Sequence, residues 1–355
     1  MDRTLPDQMV DPHIHQWDPF STPREISGIA KMLRPLPRIP RWLARTQPKR
    51  DREFIHHPHH ILKPYLPTDY RRDAASVPVA SVVHIEVGSW ACERPMDWVD
   101  ETRWVAALPW ERDGAPALGA IVVRADPRWA EAAAVLDAHL AADDRVRGAR
   151  MSASNHADTG VRGFAAEPHL LSDPGFLRGF AAIAERKLSF ELWMYAHQLP
   201  DAVVLATEYP QTTFVLDHYA TPVGIFGPRG RSTGRTGADR AGILARWRDD
   251  VATLAGLPNV VAKHSGLGMP VLGGPPRRQV DEQSINEIVD RSAPLVRHVH
   301  DVFGSERAMW ASNFPIDKPV QSIPASIAVL LDVLGADADP TLLFRDVARR
   351  VYRLT

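Results

Sequence analysis

Ala117-Leu118-Gly119-Ala120-Ile121-Val122-Val123-Arg124-Ala125-Asp126 is an apolar run that ends in a charged pair, and an alanine-rich stretch that predicts a helix over 128–142 follows it. A short, nearly continuous apolar run reads as a strand buried on both faces, the type that parallel sheets require. The same unit recurs on either side. Upstream, 81–88 reads as another buried strand, and the apolar entry Met9-Val10-Asp11-Pro12-His13-Ile14-His15 as the first. Downstream, 146–151 precedes a predicted helix near 174–187, and 189–196 precedes one near 199–208. The strand at 212–218 leads through a Gly/Arg-rich loop at 224–237 to a helix near 239–256. The strand at 259–266 precedes a helix near 282–303, and 307–314 precedes helices near 321–335 and 340–353. Eight strands, mostly separated by helices, predict the α/β class and a closed (β/α)8 TIM barrel with long strand–helix loops. The whole of 1–355 reads as one domain. An irregular insertion at about 19–78, rich in Pro, Arg and His, reads as a lid, because long loops in compact domains tend to be functional.

The 355-residue chain is 45% hydrophobic and 24% charged, with a formal net charge of -1, so it has no basic field for nucleic acid or anionic membrane. The expected partner is a small molecule. The single cysteine, Cys92, precludes an intrachain disulfide and suits a reducing compartment. The first residues lack the apolar core of a signal peptide, and no apolar run approaches membrane-spanning length. A soluble, cytoplasmic protein is expected.

Side chains at i and i+2 of a strand share a face. His13 and His15 therefore project together, with Val10 and Ile14 expected on the opposite side. Two adjacent imidazoles can share a metal ion or polarise one substrate oxygen. Polar residues close the other strands too: His84 and Glu86, expected to share a face, then Arg124, Arg150, Tyr195 with His197, Asp217-His218, Lys263 with Ser265, and Asn313. Barrel active sites lie at the carboxyl ends of the strands, and buried charge is costly unless it faces a polar centre.

Four segments taken together resemble the amidohydrolase-related family, and within it the lactonase-like branch that includes sugar-lactone hydrolases and 2-pyrone-4,6-dicarboxylate lactonase. They are Asp11-Pro12-His13-Ile14-His15-Gln16-Trp17, Tyr195-Ala196-His197-Gln198-Leu199-Pro200, Val215-Leu216-Asp217-His218 and Ala311-Ser312-Asn313-Phe314-Pro315-Ile316-Asp317. The resemblance runs from residue 9 to 353, apart from 19–55. It implies a barrel that hydrolyses small molecules, often lactones, by attack of water on an acyl carbon. It also implies roles for His13, His15 and His218, with His197 as a further metal ligand in metal-bearing members. Some members use one divalent metal, commonly zinc, and the pyrone lactonase type uses none. A homodimer is a family-level expectation.

One position departs from the pattern. The family's strand-eight aspartate, a general base and metal ligand, is Asn313 here. An amide cannot take a proton near neutral pH, although it can orient water or offer its carbonyl to a metal. Glu86, Asp317 and His218 are the replacement bases, with Glu86 favoured. Arg124 and Arg150 are placed to hold a substrate carboxylate, or else to pair with barrel carboxylates. Tyr195 and Lys263 are donors to substrate hydroxyls or the opening ester oxygen, with Glu86 or Asp217 as the structural partner for Lys263. Trp17, with Trp90 and Trp193, reads as an apolar wall for a substrate ring, or else simply as barrel core. The His56–His60 cluster reads as solvated surface or as part of a lid over the site. Two other functions stay open: a metal-dependent decarboxylase of an aromatic or unsaturated acid, and a barrel that binds a small acid without turning it over.

Overall fold

In this computed structural model the described residues are 4–36, 47–55, 61–88, 90–274 and 282–354. The eight strands are β1 (Met9–Ile14), β2 (Val79–Ile85), β3 (Ala117–Arg124), β4 (Val146–Arg150), β5 (Ser189–Leu192), β6 (Phe214–Leu216), β7 (Val260–His264) and β8 (Ala308–Trp310). They form one sheet in sequence order, every adjacent pair parallel. The sheet closes on itself: Ile14 bridges Phe314 in parallel, His15 N–H donates to the Phe314 carbonyl at 2.8 Å, and Asn313 N–H donates to that of His13 at 3.0 Å. The expected (β/α)8 TIM barrel is the fold.

Eleven α-helices lie among the described residues: α1 (Ser27–Leu33), α2 (Lys49–Ile55), α3 (Pro67–Ala74), α4 (Val99–Ala106), α5 (Ala132–Ala142), α6 (Pro174–Glu185), α7 (Leu199–Glu208), α8 (Gly237–Ala255), α9 (Glu282–Phe303), α10 (Ile323–Leu334) and α11 (Val347–Tyr352). Local chemistry starts several of them. Asp173 caps α6 through Gly175 and Phe176 N–H, with Pro174 at the first helical position, where a missing N–H costs nothing. Thr236 and Asp239 cap each other's backbone at α8. The 19–78 insertion is less irregular than its prolines suggest. It contains α1, α2 and α3, the last starting at Pro67 with Asp69 returning to the Leu66 N–H. α4 had no predicted counterpart either.

The barrel interior is sorted by the two-residue period. Val83, Ile85, Ala120, Val122, Val215, Val261 and Met309 face inward as one apolar layer, and Ile121, Val123 and Leu216 face the helices. One pleat further along the inward face the residues become charged: Asp217 after Val215, and Lys263 after Val261. α11 covers the opposite end, with Val347, Val351 and Tyr352 packed on the apolar layer and Leu354 beside Gly119 at the start of β3.

β1 departs from simple alternation. Its register against β2 advances from Asp11–Val82 to Ile14–His84, one extra residue on the β1 side, at Pro12, which has no N–H for the ladder. Val10 is therefore inside and Ile14 outside, and the two do not share a face as expected. The bulge keeps His13 and His15 together while Asp11 turns outward to accept from Tyr70 Oη at 2.7 Å and Ser312 N–H at 3.0 Å. No helix among the described residues is long and apolar enough to cross a membrane.

Candidate active site

At the carboxyl ends of β1, β6 and β7 the structure gathers His13, His15, Asp217, His218 and Lys263, all buried. The ring of His13 lies 5.0 Å from that of His15, edge-on, and 4.5 Å from that of His218. His15 Nδ1 is 2.9 Å from the Ile85 carbonyl, which can only accept, so the proton is on Nδ1 and Nε2 is left as an acceptor. His13 Nδ1 stands 3.1 Å from Asp217 Oδ1, and His218 Nδ1 is 2.8 Å from Ser265 Oγ. Burial drives all three imidazoles toward the neutral form: His13 and His15 well below the usual value, His218 to about 4. Burial alone would raise Asp217, but Lys263, 3.3 Å away, and His13 hold it well below the usual carboxylate range. The site thus offers neutral nitrogen donors and an ionised carboxylate.

The backbone that presents His218 is unusual. His218, Tyr219, Ala220 and Thr221 have φ of 52°, 57°, 54° and 42°, a left-handed turn with no glycine in it. Such a conformation costs about 1–2 kcal/mol per residue and persists only where the surroundings fix it. Here Trp247 Nε1 donates to the Tyr219 carbonyl at 2.7 Å, and Tyr219 Oη meets His264 Nδ1 at 2.9 Å. Gly266 leaves the room: a Cβ on it would lie 2.6 Å from that of His218.

A second group borders the first. Glu86 Oε1 accepts from Arg150 Nε at 2.7 Å, the Glu86 carbonyl accepts from Arg150 Nη2 at 2.6 Å, and Glu86 Oε2 is 3.7 Å from Arg124 Nη1. Arg150 also reaches Asp217 Oδ2 at 3.6 Å, joining the two groups. Arg124 is the less buried guanidinium and lies over the Trp98 ring. His84 stands 3.8 Å from Glu101 of α4 and lines, with Glu86, Glu101 and Arg124, a small cavity beside β2.

At β8, Asn313 has φ 55° and donates Nδ2 to Asp317 Oδ1 at 2.8 Å. Asp317 Oδ2 accepts from Gly268 N–H at 2.9 Å and Gln321 Nε2 at 3.1 Å, and burial still pushes the carboxyl up to about 7. The neighbouring Lys318 pairs with Asp73 at 2.7 Å.

Three residues singled out from the sequence lie elsewhere. His197 is exposed and faces His156 at 5.1 Å in a groove of about 660 Å³ between the loops after β5 and β6 and the start of α8. Tyr195 is fully buried, its hydroxyl donating to the Arg162 carbonyl at 2.5 Å. Trp17 donates Nε1 to the Lys63 carbonyl at 2.9 Å and packs on Tyr65. The His56–His60 cluster lies outside the described residues. Sequence reading missed Glu191, whose carboxylate receives Lys263 Nζ at 2.6 Å. Its signal was an acidic residue inside the apolar run Phe190-Glu191-Leu192.

The donor set fits a divalent cation. Among the described residues, His13, Asp217 and His218 form the one group of three or more candidate ligands, with ligand atoms within 4.8 Å of one another. His13 Nε2, Asp217 Oδ2 and Asn313 Oδ1 are buried without a hydrogen-bond partner among the described residues, a costly condition that a ligand would relieve. Two imidazoles and a carboxylate are the ligand types of catalytic zinc sites.

Comparisons with known proteins show the family and the fold. An uncharacterized protein of Sinorhizobium fredii is 30% identical over 296 residues, covering 83% of this chain and 87% of its own. An L-fucono-1,5-lactonase of Burkholderia multivorans is 28% identical over 217 residues, covering 61% of this chain and 60% of its own. The crystal structure of an amidohydrolase from Burkholderia multivorans, solved with bound zinc, superposes with a TM-score of 0.66 at 20% identity, covering 98% of this chain and 100% of its own, and so shares the fold. The amidohydrolase family model matches residues 10–354, nearly the full length of the barrel. The chain belongs to the amidohydrolase family.

Proposed function

We propose that this protein hydrolyses a small cyclic ester, a lactone or related acyl compound, by attack of water at the barrel mouth. The observation that supports it best is the cluster of His13, Asp217 and His218, whose ligand atoms lie within 4.8 Å of one another, with His13 Nε2 and Asp217 Oδ2 buried and unpartnered among the described residues. The similarity to an L-fucono-1,5-lactonase favours a lactone over other acyl substrates. His13, Asp217 and His218 would hold a divalent cation, zinc by donor type; when bound it would supply Lewis acidity and a water of lowered pKa. The chain's own residues do the rest. His15, with Nε2 free of the backbone, orients water or the opening oxygen. Glu86 is the proton acceptor, since Arg150 occupies Oε1 while Oε2 has no hydrogen bond among the described residues. Arg150 is committed to Glu86, so Arg124 is the guanidinium that meets an anionic group on the substrate. Helix α2, docked through Asp51 to Arg162 and through Phe54 to Trp193 and Phe164, forms one wall of the lid over the mouth.

The test is the metal content of protein purified without chelator, with hydrolysis of a lactone panel measured before and after chelation. Stoichiometric zinc and chelator-sensitive turnover are expected. Turnover that survives chelation would assign the histidines as direct hydrogen-bonding groups. Absence of turnover on every lactone, with release of carbon dioxide from aromatic acids, would overturn the reading in favour of a decarboxylase.

A further inference from the structure

Lys263, Glu191, Asp217 and His13 are fully buried, and so is Tyr352 of the C-terminal helix. Lys263 Nζ lies 2.6 Å from Glu191 Oε2, 3.3 Å from Asp217 Oδ1 and 3.1 Å from His13 Nδ1. Tyr352 Oη donates to Glu191 Oε1 at 2.5 Å, and the Tyr352 ring centroid is 5.5 Å from Lys263 Nζ. Both oxygens of Glu191 are thus used, one by the ammonium and one by the phenol. The chain of contacts runs from the closed end of the barrel to the imidazole at its mouth.

Such an arrangement has no evident stability rationale. A buried ion pair loses several kcal/mol of hydration per ion, and replacing one by apolar residues of similar volume is often neutral or stabilising. The apolar layer beside it, built from Val215, Val261 and Met309, shows that this interior can be filled by aliphatic side chains. The consequence lies at His13. Two neighbours compete for Nδ1: the carboxylate of Asp217 can only accept from it, and the ammonium of Lys263 can only donate to it. An Nδ1–H on Asp217 leaves Nε2 as a bare lone pair, and Lys263 donating to Nδ1 would leave Nε2–H instead.

We infer that Tyr352, Glu191 and Lys263 form a buried positioning chain that holds Asp217 as the acceptor of His13 Nδ1–H and so presents the His13 Nε2 lone pair to the mouth. Glu191, itself held by Tyr352, takes the shortest Lys263 contact, 2.6 Å against 3.1 Å to His13 Nδ1, and the same ammonium stands 3.3 Å from Asp217 Oδ1, the carboxylate oxygen that His13 meets. The chain's C-terminal helix thereby acts on the chemistry without touching it. This rests on the reading that His13 serves the site through Nε2.

The experiment reads the imidazole directly. Long-range nitrogen–proton NMR of histidine-labelled, metal-free protein reports each tautomer, with His13 assigned by the signal lost in His13→Asn. Wild type is expected to show His13 as Nδ1–H. In Tyr352→Phe, which removes one oxygen, the signal is expected to become a mixture of tautomers. Zinc affinity in that variant should fall about tenfold, and kcat should fall about tenfold with KM within twofold. Glu191→Gln, an isosteric change, is expected to move the signal the same way and serves if the first variant does not fold. The double variant Lys263→Met with Glu191→Leu tests the structural alternative, because it fills the same space without charge. If it folds and keeps the wild-type tautomer, zinc affinity and kcat, the chain only fills space and the inference fails. An Nε2–H tautomer in wild type would overturn it equally. If no lactone is turned over, the tautomer and zinc readings still decide this point, so the two failures are separable.

Discussion

Asn313 donates its side-chain Nδ2 to Asp317 Oδ1 at 2.8 Å, while the Oδ1 of the same amide is buried with no hydrogen-bond partner among the described residues. Asp317 thus fixes the rotamer of the residue that replaces the expected strand-eight aspartate. It aims the amide's carbonyl, the only end able to meet a cation or a water hydrogen, away from itself.

The pair has a pH signature. Burial pushes Asp317 up to about 7, against the donors Gly268, Asn313 and Gln321, from an ordinary value of 3.8. Between those values the folded state keeps a proton that the unfolded chain releases, so stability falls as pH rises from about 4 to about 7 and then levels off. Asp317→Asn removes the titration, and the difference in Tm between pH 5 and pH 8 is expected to shrink by several degrees. The new amide must also turn Asn313 over, swinging Oδ1 out of place, and kcat is expected to fall about tenfold, ~1.4 kcal/mol in barrier. Thermal unfolding at the two pH values checks the first effect; an unchanged gap would assign the slope to another group.

His15→Ala should abolish turnover and leave the fold intact. His15 sits just past the end of β1, and its backbone bond to Phe314 survives the substitution. Loss of the ring removes one contact to the Ile85 carbonyl and the free Nε2. A fall of at least a thousandfold in kcat/KM is expected, with circular dichroism unchanged. Near-normal activity would remove this residue from the site.

Glu86→Gln separates proton transfer from ion pairing. If Glu86 takes the proton of the attacking water, kcat should fall by about 10²–10⁴, the usual contribution of a general base. If it serves only to hold Arg150 and Arg124, the amide keeps one acceptor for Arg150, and the loss should appear in KM and in Tm. Steady-state kinetics beside a melting curve distinguish the two. We expect the kcat effect.

Much of the barrel was legible because its strands are buried on both faces and so read as apolar runs between helices. The interruptions were legible too: Asp217, His218 and Lys263 stand out against Val215 and Val261. What could not be read were consequences of geometry. One extra residue at Pro12 moved Val10 and Ile14 to opposite sides, and a bulge has no clear sequence signature beyond the proline itself. Glu191 was hidden because its partners come from β7 and from a helix 161 residues away. His197 looked equivalent to the other histidines, but it follows the end of β5 on a short helical turn that directs it toward His156. α1, α2 and α3 were obscured by the prolines around them.

Gly266→Ala tests whether the left-handed turn at His218 is part of the machinery. Gly266 has φ 75°, where a side chain is strained, and its added Cβ would stand 2.6 Å from His218 Cβ and 2.7 Å from Cγ, so the imidazole must shift. The backbone penalty alone is about 1 kcal/mol. The steric part cannot be relieved by rotating a flexible tail, because the obstructing atoms are the root of the ring, and His218 is itself held by Ser265 at 2.8 Å and by the following left-handed residues. A lower Tm is expected together with loss of zinc and of turnover. Gly304 is the control, since it has φ 70° and nothing within 4 Å of an added Cβ. Gly304→Ala should reproduce the backbone strain without touching His218, lowering Tm by a few degrees and leaving kcat and zinc content at wild-type levels. Equal loss of activity in both variants would mean that general destabilisation, not displacement of His218, explains the effect of Gly266→Ala.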